Sequence, residues 1–120
     1  MEDTRMRSQS ETIDLLFHNR LIDEVREHLD SNPDIDLLRL RDRDGNTVLH
    51  QLAFEGHIDI IRLFVREAKR RLVKHYRKSL YQRSEKQEIK VWMDLQNSEG
   101  FTPILYAAYN GHIDIIKYFV

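Results

Sequence analysis

The chain has 120 residues, of which 41% are hydrophobic and 32% charged, a balance that excludes a disordered polymer and an integral membrane protein. Its net charge of −1 gives no overall field for nucleic acid or anionic lipid, and the lack of cysteine excludes disulfides and cysteine-ligated zinc. We therefore expect one small cytoplasmic or nuclear domain with no signal peptide and no transmembrane segment.

The first predicted element is a helical segment within residues 8–41. Ser8 and Glu11 have the spacing of a capping box, which begins a helix by satisfying free backbone amides. Apolar residues at helical spacing follow: Ile22, Val25 and Leu29. Arg20 occupies the position at which two later segments carry a glycine. We expect residues 8–41 to form an atypical capping unit, because the first unit of a stack exposes one face to water.

The next element is a segment that occurs twice. Residues 42–65 align without a gap with residues 97–120, and both copies contain the string GHIDII. Each copy has the signals of a turn, a helix, a tight reversal and a second helix. The signals are glycines, helix-capping threonines and a proline at a helix start: Gly45, Gly56, Gly100, Gly111, Thr47, Thr102 and Pro103. An apolar stripe predicts the second helix: Ile58, Ile61, Phe64 and Val65.

The joint pattern resembles the ankyrin repeat, D-x-x-G-x-T-P-L-H-x-A-A-x-x-G-H. The first copy matches it at Asp42, Gly45, Thr47, Leu49, His50, Ala53, Gly56 and His57. The second copy matches it at Gly100, Thr102, Pro103, Ala107, Ala108, Gly111 and His112. The copies depart from the pattern at Val48, Asn97 and Leu105. The resemblance implies an all-α ankyrin-repeat solenoid of helix-turn-helix units with short hairpin-like turns and a helical insertion.

The spacing of the copies predicts the domain organisation. They lie 55 positions apart, which is one ankyrin period of about 33 residues plus about 22 inserted residues. We predict a single ankyrin-repeat domain over residues 1–120, with the capping unit first. The later parts are a second unit at 42–67, a basic insertion at 68–89 and a truncated third unit at 90–120, in which Lys90 resumes the loop.

The insertion is predicted to be a basic helical hairpin. The helix that begins at Ile58 extends towards Tyr81, with an apolar stripe along it: Leu72, Tyr76 and Leu80. Ser84 and Gln87 have the spacing to cap a second short helix that runs towards Trp92. Eight Lys or Arg residues against two Glu residues give the insertion a charge of +6, and the rest of the chain totals −7.

Two interpretations of the insertion stay open. A basic amphipathic helix binds acidic protein, RNA or anionic lipid, and its basic patch comprises Lys69, Arg70, Arg71, Lys74, Arg77 and Lys78. The alternative is a solvated hairpin whose apolar stripe packs on its own domain.

No catalytic or metal-binding pattern is present in the sequence. The six histidines lack the spacing that places two ligands on one helix face: His18, His28, His50, His57, His75 and His112. A Gly-rich phosphate loop and a recognisable Ser/His/Asp arrangement are also missing. We expect no metal, no cofactor and no enzymatic activity.

The resemblance implies binding of a protein partner, whose identity the sequence leaves open, through a concave surface made of hairpin tips and first-helix edges. The corresponding positions are Arg43, Asp44, Asn46, Phe54, Glu55, Ser98, Glu99, Phe101, Tyr109 and Asn110. The aromatic members Phe54, Phe101 and Tyr109 are of the type that anchors interfaces. The alternative role for these three rings is packing against the neighbouring repeat.

The last predicted helix ends at Val120, the position equivalent to Val65. Its apolar side chains lack the polar outer face of a capping repeat: Ile113, Ile116, Phe119 and Val120. We expect that this chain is a fragment or that a partner covers this end, and that the last helix frays in an isolated monomer.

Overall fold

The computed structural model describes residues 20–76 and 85–120, and every regular element within these residues is an α-helix. They fall into two compact parts, which we call the N-terminal part (residues 20–35) and the main part (residues 36–120 without the gap at 77–84). The N-terminal part contains α1, described at residues 20–31. The main part contains α2 (Val48–Glu55), α3 (Ile58–Tyr76), α4 (Glu85–Met93), α5 (Pro103–Tyr109) and α6 (Ile113–Phe119). None of the helices described has the length and apolar character needed to cross a membrane.

Helix α1 confirms the predicted helix of the capping unit over the residues described. Leu29 on its apolar stripe is buried. The helix ends at Ser31, and the side-chain amide of the next residue, Asn32, donates to the His28 carbonyl oxygen at 2.8 Å. Pro33 follows and cannot continue the helical hydrogen bonds. The proposed capping box at Ser8 and Glu11 lies outside the described residues.

A compact hairpin-like turn precedes α2, as predicted. The Asp42 carboxylate accepts hydrogen bonds from the backbone amides of Asp44 at 2.9 Å and Asn46 at 2.8 Å. The Asp42 amide in turn donates to the Asn46 carbonyl oxygen at 2.9 Å. Gly45 has φ of 77°, a left-handed conformation that strains residues with a side chain. The turn therefore holds its shape through one carboxylate and one glycine.

The helix boundaries of both repeats follow the predicted signals. Thr47 and Thr102 precede α2 and α5 in an extended conformation. Pro103 is the first residue of α5, where a missing amide costs no helical hydrogen bond. Gly56 ends α2 with φ of 85°, and Gly111 has φ of 74° after α5.

The core of the main part, residues 36–120, lies between the paired helices. Helix α2 packs against α3 and α5, α3 against α4, and α5 against α6. The core side chains include Leu49, Ala53, Ile60, Ile61, Val65, Ala68, Ile89, Trp92, Ala107 and Ile115. Ile61 and Val65 were predicted on the buried stripe of α3, whereas the predicted Ile58 and Phe64 are only half-buried. The fully buried Ile60 shows that the apolar face of α3 is wider than the predicted stripe.

The predicted extension of α3 into the insertion is confirmed as far as Tyr76, and α4 is the predicted second helix. The prediction that a loop resumes at Lys90 is wrong, because α4 continues to Met93. Trp92 on this last turn is 1% exposed, so burial of the indole ring explains the longer helix. Leu72 on the predicted stripe is half-buried, while the side chains of Tyr76 and Leu80, together with Tyr81 and Ser84, lie outside the described part.

Candidate functional site

The hairpin tips of the second and third repeats lie side by side and are joined by hydrogen bonds. The Ser98 backbone amide and hydroxyl both donate to the Asp44 carbonyl oxygen, at 2.9 and 2.7 Å. A Cβ at Gly45 would lie 3.1 Å from the Ser98 nitrogen, so a larger residue would push the tips apart. The predicted contact residue Ser98 therefore uses its hydroxyl within the stack, while Arg43, Asp44 and Glu99 are exposed.

Asn97 explains why the third repeat lacks the aspartate of the family pattern. Its side-chain oxygen Oδ1 accepts hydrogen bonds from the backbone amides of Glu99 at 3.0 Å and Phe101 at 2.9 Å, as the Asp42 carboxylate does with the equivalent amides of its own turn. Its side-chain NH₂ donates to Asn46 Oδ1 at 2.8 Å and to the Tyr106 hydroxyl at 2.7 Å. An aspartate has no N–H groups to make these two bonds. The amide therefore joins both repeats at the base of the hairpins.

His50 joins the same repeats from within the core, where it is 1% exposed. The Thr47 backbone amide donates to His50 Nδ1 at 3.0 Å, so Nδ1 is unprotonated. Nε2 therefore carries the proton and donates to the Phe101 carbonyl oxygen at 2.8 Å. Burial lowers the pKa of His50, which favours this neutral form. Both ring nitrogens are thus engaged in structure, and His50 has no free nitrogen for a metal or a substrate.

The C-terminal end of α2 is closed by the third repeat. The Phe54 carbonyl oxygen accepts from the Asn110 side-chain amide at 2.7 Å and lies 3.1 Å from His112 Nε2. The His112 ring lies on Gly56, where an added Cβ would be 2.6 Å from Cε1. The second GHIDII string therefore supplies a histidine that requires the glycine of the first string. Asn110, a predicted contact residue, uses its side-chain amide in this joint.

Tyr106 is the centre of an aromatic cluster between the two repeats. Phe101 stacks on its ring with centroids 5.4 Å apart, and Phe54 meets it edge-on at 5.6 Å. His50 forms a third contact at 6.0 Å. Tyr106 was not among the predicted contact residues, because its contacts with His50 and Phe54 are made with the preceding repeat and have no local signal in the sequence.

Two of the three predicted aromatic anchors pack against a neighbouring ring, which is the alternative role considered for them. Phe54 and Phe101 pack on Tyr106, yet 49% and 41% of their surfaces stay exposed. Tyr109 is 85% exposed. Beside the Phe54 ring lies a groove of about 370 Å³, which we call the aromatic groove, lined by Asp42, Asn46, His50, Gln51, Phe54 and Tyr106. The structure thus places apolar ring surface and polar groups together between hairpins and first helices.

The Asp42 carboxylate gives the lining of the aromatic groove a negative charge. Backbone and side-chain hydrogen bonds from Asn46 hold the pKa of Asp42 below its ordinary value of 3.8. Asp44 and Glu99 are exposed at the neighbouring tips. Within the described residues, no lysine or arginine nitrogen lies within 4.0 Å of the carboxylates of Asp42, Asp44 or Glu99. Glu55, also exposed, lies 3.2 Å from the His57 ring.

Three of the six residues of the predicted basic patch have side chains within the described part of the structure. Lys69 is exposed, but Arg70 and Arg71 both pair with Glu67, whose pKa is lowered chiefly by the Arg70 hydrogen bond. The Lys74 side chain, Arg77 and Lys78 lie outside the described part. Among the residues described, no cluster of three or more His, Cys, Asp or Glu side chains is suited to hold a metal ion.

Comparison with known proteins identifies the repeats. Residues 7–120 match a family model described as ankyrin repeats in three copies. Comparisons with curated proteins and with solved structures gave no match. The family match covers nearly the whole chain and agrees with the turn, helix and reversal geometry of both clear repeats. The chain therefore belongs to the ankyrin repeat family.

Proposed function

We propose that the protein is a non-catalytic interaction module that binds a protein partner through the aromatic groove and its rim of exposed rings. Ankyrin repeats generally serve as protein–protein interaction modules and are typically non-catalytic. The observation that supports the groove is the exposure of Phe54 and Phe101, which both pack on Tyr106, beside polar groups that are satisfied within the stack. Tyr109 is exposed on the same helix as Tyr106. A cytoplasmic or nuclear location is part of this proposal.

A partly exposed aromatic ring on a rigid support suits an interface anchor. Phe54 and Phe101 are held in place by Tyr106, so little side-chain freedom is lost when a partner covers them. The hydrogen bonds of His50 and Asn97 fix the spacing between the repeats, and hence between the two phenylalanine rings. Aromatic residues held this way dominate the binding energy of many interfaces.

The test begins with affinity purification and continues with the purified partner. Replacing Phe54 and Tyr109 by alanine should weaken binding by roughly 5-fold to 30-fold for each ring that acts as an anchor. The matched control replaces Leu40 and Val91, which are 50% and 41% exposed outside the groove. Tyr109→Ala is the cleanest single change, because its ring is 85% exposed and contributes little to folding. Equal affinity of the double variant and its control would refute the proposal.

The second candidate function is binding of RNA or anionic membrane by the basic insertion, with the repeats as its holder. The exposed Lys69 and Lys86 favour it, whereas pairing of Arg70 and Arg71 with Glu67 reduces the available charge. An acidic protein is a further candidate partner for the same patch.

The insertion should be tested by charge removal. Deletion of residues 68–89 would remove Ala68 and Ile89, which are buried in the core, and would confuse binding with unfolding. Lys69→Gln and Lys86→Gln leave the core intact, and Lys74→Gln, Arg77→Gln and Lys78→Gln can be added. Binding to a mixed-sequence RNA or to phosphatidylserine vesicles should fall steeply with salt in the parent chain and weaken in the variant. Unchanged binding in the variant would exclude this function.

A further inference from the structure

We infer that the aromatic groove receives a cationic side chain, arginine or lysine, from an extended segment of the partner protein. This inference rests on the proposed function and names the chemistry of the partner at that site. The cationic group would lie at the Asp42 carboxylate, and the apolar stem would lie along the Phe54 and Tyr106 rings.

The charge of the groove is the first observation behind this inference. Among the described residues that line the groove, Asp42 is the only Lys, Arg, Asp or Glu side chain. Its carboxylate is bonded to backbone amides and to the Asn46 side-chain amide, and no described lysine or arginine pairs with it. Such an anion keeps its full charge, since neutral donors fix its position without cancelling it.

The surrounding charges strengthen the same preference. Asp44 and Glu99 are exposed in the two hairpin turns, Glu55 is exposed at the end of α2, and the exposed cations before and within the first turn are Arg41 and Arg43. With Asp42, these segments therefore carry four carboxylates and two guanidinium groups. An acidic surface attracts a basic segment and repels an acidic one, so charge complementarity selects the class of partner.

The aromatic walls suit a long cationic side chain better than a small cation. Arginine and lysine have apolar stems that pack along rings, and their charged ends interact favourably with aromatic faces. The Phe54 ring is half exposed beside the groove, and its edge-on contact with Tyr106 makes an apolar corner. The groove of about 370 Å³ is at the small end of typical ligand sites, in keeping with one inserted side chain.

The test selects ligands without assuming a partner. A phage library that displays random 12-residue peptides is panned on the full chain, and enriched peptides are synthesised. We expect enrichment of peptides with arginine or lysine beside an apolar residue, and loss of their binding with Phe54→Ala. Their affinity should fall with salt, because charge pairs near a surface are screened.

Asp42→Asn is the decisive variant. Asn97 shows that an asparagine at this turn position accepts the same two backbone amides, so the fold should be retained. We expect roughly fivefold weaker binding of the cationic peptides. The matched control is Asp114→Asn, which makes the same charge change on α6, away from the groove, and should leave the affinity unchanged. Gln51→Lys provides a second variant that leaves the turn untouched and should repel the same peptides.

The outcomes separate this inference from the proposed function. Enriched peptides that lack a cationic residue but still depend on Phe54 would overturn the inference and leave the interaction module standing. Cationic peptides that bind Asp42→Asn and Gln51→Lys as well as the parent chain would also overturn it. Failure to enrich any peptide that depends on Phe54 would count against the groove as a binding site, and the proposed function would fail with it.

Discussion

The second and third repeats share their local signals but differ in how the chain uses them. In both, an extended threonine precedes the first helix and glycines with positive φ form the turn and the reversal. Within the described residues, the second repeat is followed by a repeat that packs against it, and the third repeat is not. His50 is accordingly 1% exposed, whereas its counterpart Leu105 is 48% exposed.

The same difference appears at the glycine that follows the first helix of each repeat. Gly56 is covered by the His112 ring, whereas a Cβ at Gly111 would meet no described atom within 4 Å. Leu105, Tyr109 and Ile113 of the third repeat are exposed, at 48%, 85% and 62%. The residues of the repeat motif therefore have two kinds of role. Some form the turn and the helices of their own repeat, and others, such as His50, make contacts only where a following repeat is present.

Of the substitutions that test this difference between the repeats, His50→Leu should lower the free energy of unfolding the most. The variant leaves the buried Thr47 amide without its partner. It also removes one of the two hydrogen bonds to the Phe101 carbonyl oxygen, which keeps the bond from the Asn97 amide. Each lost partner of a buried polar group costs about 1–3 kcal/mol, so we expect about 2–4 kcal/mol lower free energy of unfolding. Urea unfolding followed by fluorescence of the buried Trp92 measures it.

Leu105→His is the matched exchange in the third repeat. It places the family histidine at an exposed position with no carbonyl group of a further described repeat to receive it. The free energy of unfolding should therefore change by less than about 0.5 kcal/mol. Equal losses in the two variants would show that the histidine acts within its own repeat and that the comparison is mistaken.

Replacing the reversal glycines by alanine should give a smaller contrast. Gly56 and Gly111 both have positive φ, so either alanine costs about 1–2 kcal/mol from backbone strain. Gly56→Ala must also displace the His112 ring from the Phe54 carbonyl oxygen, which adds about 1 kcal/mol. Thermal and urea unfolding of both variants measure the difference.

A background lacking the His112 ring sharpens this contrast. In His112→Ala, the two alanine substitutions should cost nearly the same, because the contact that distinguishes the two glycines has been removed. A difference that persists in this background would have to come from the backbone, and the assignment of the extra cost to His112 would be wrong.

The features that could be predicted from the sequence are those set by neighbouring residues. The turn at Gly45, the start of α5 at Pro103 and the reversal at Gly56 depend on local backbone preferences, which residue types reveal. The hydrogen bond from His50 to Phe101 joins residues 51 positions apart, and the identity of its acceptor has no local signal. For the same reason, sequence periodicity did not reveal Tyr106 as the centre of the aromatic cluster.

The end of α4 was predicted wrongly, because the family pattern was followed where a contact in the fold decides the structure. The family pattern placed a loop from Lys90, but burial of Trp92 extends the helix to Met93. For the candidate site, the family pattern predicted residue positions but not the arrangement of their side chains on the surface. Phe54, Phe101 and Tyr109 were named from the family pattern, whereas the charge of the groove depends on which carboxylates lack a basic neighbour in the fold.

The smallest expected effect is the pH dependence of stability that His50 adds. The pKa of His50 in the folded protein lies below the ordinary value of 6.5 because the ring is buried. Between these two values the unfolded chain binds a proton that the folded chain does not, so protonation favours unfolding. The contribution of His50 is complete above about pH 6.5 and is lost as the pH falls towards the folded pKa. Asp42 and Glu67, whose folded pKa values are also lowered, act in the same direction at lower pH.

Urea unfolding of the parent chain and of His50→Leu between pH 7.5 and pH 5 isolates this term, because the other five histidines are common to both. The parent should lose more stability over this range than the variant. Leu105→His, with its added ring at an exposed position, should follow the parent curve. Parallel curves for the parent and His50→Leu would mean that the histidine in the second repeat titrates as it does in the unfolded chain. The burial of His50 between two repeats would then have no energetic consequence for its protonation, contrary to the contrast between the covered and uncovered repeats.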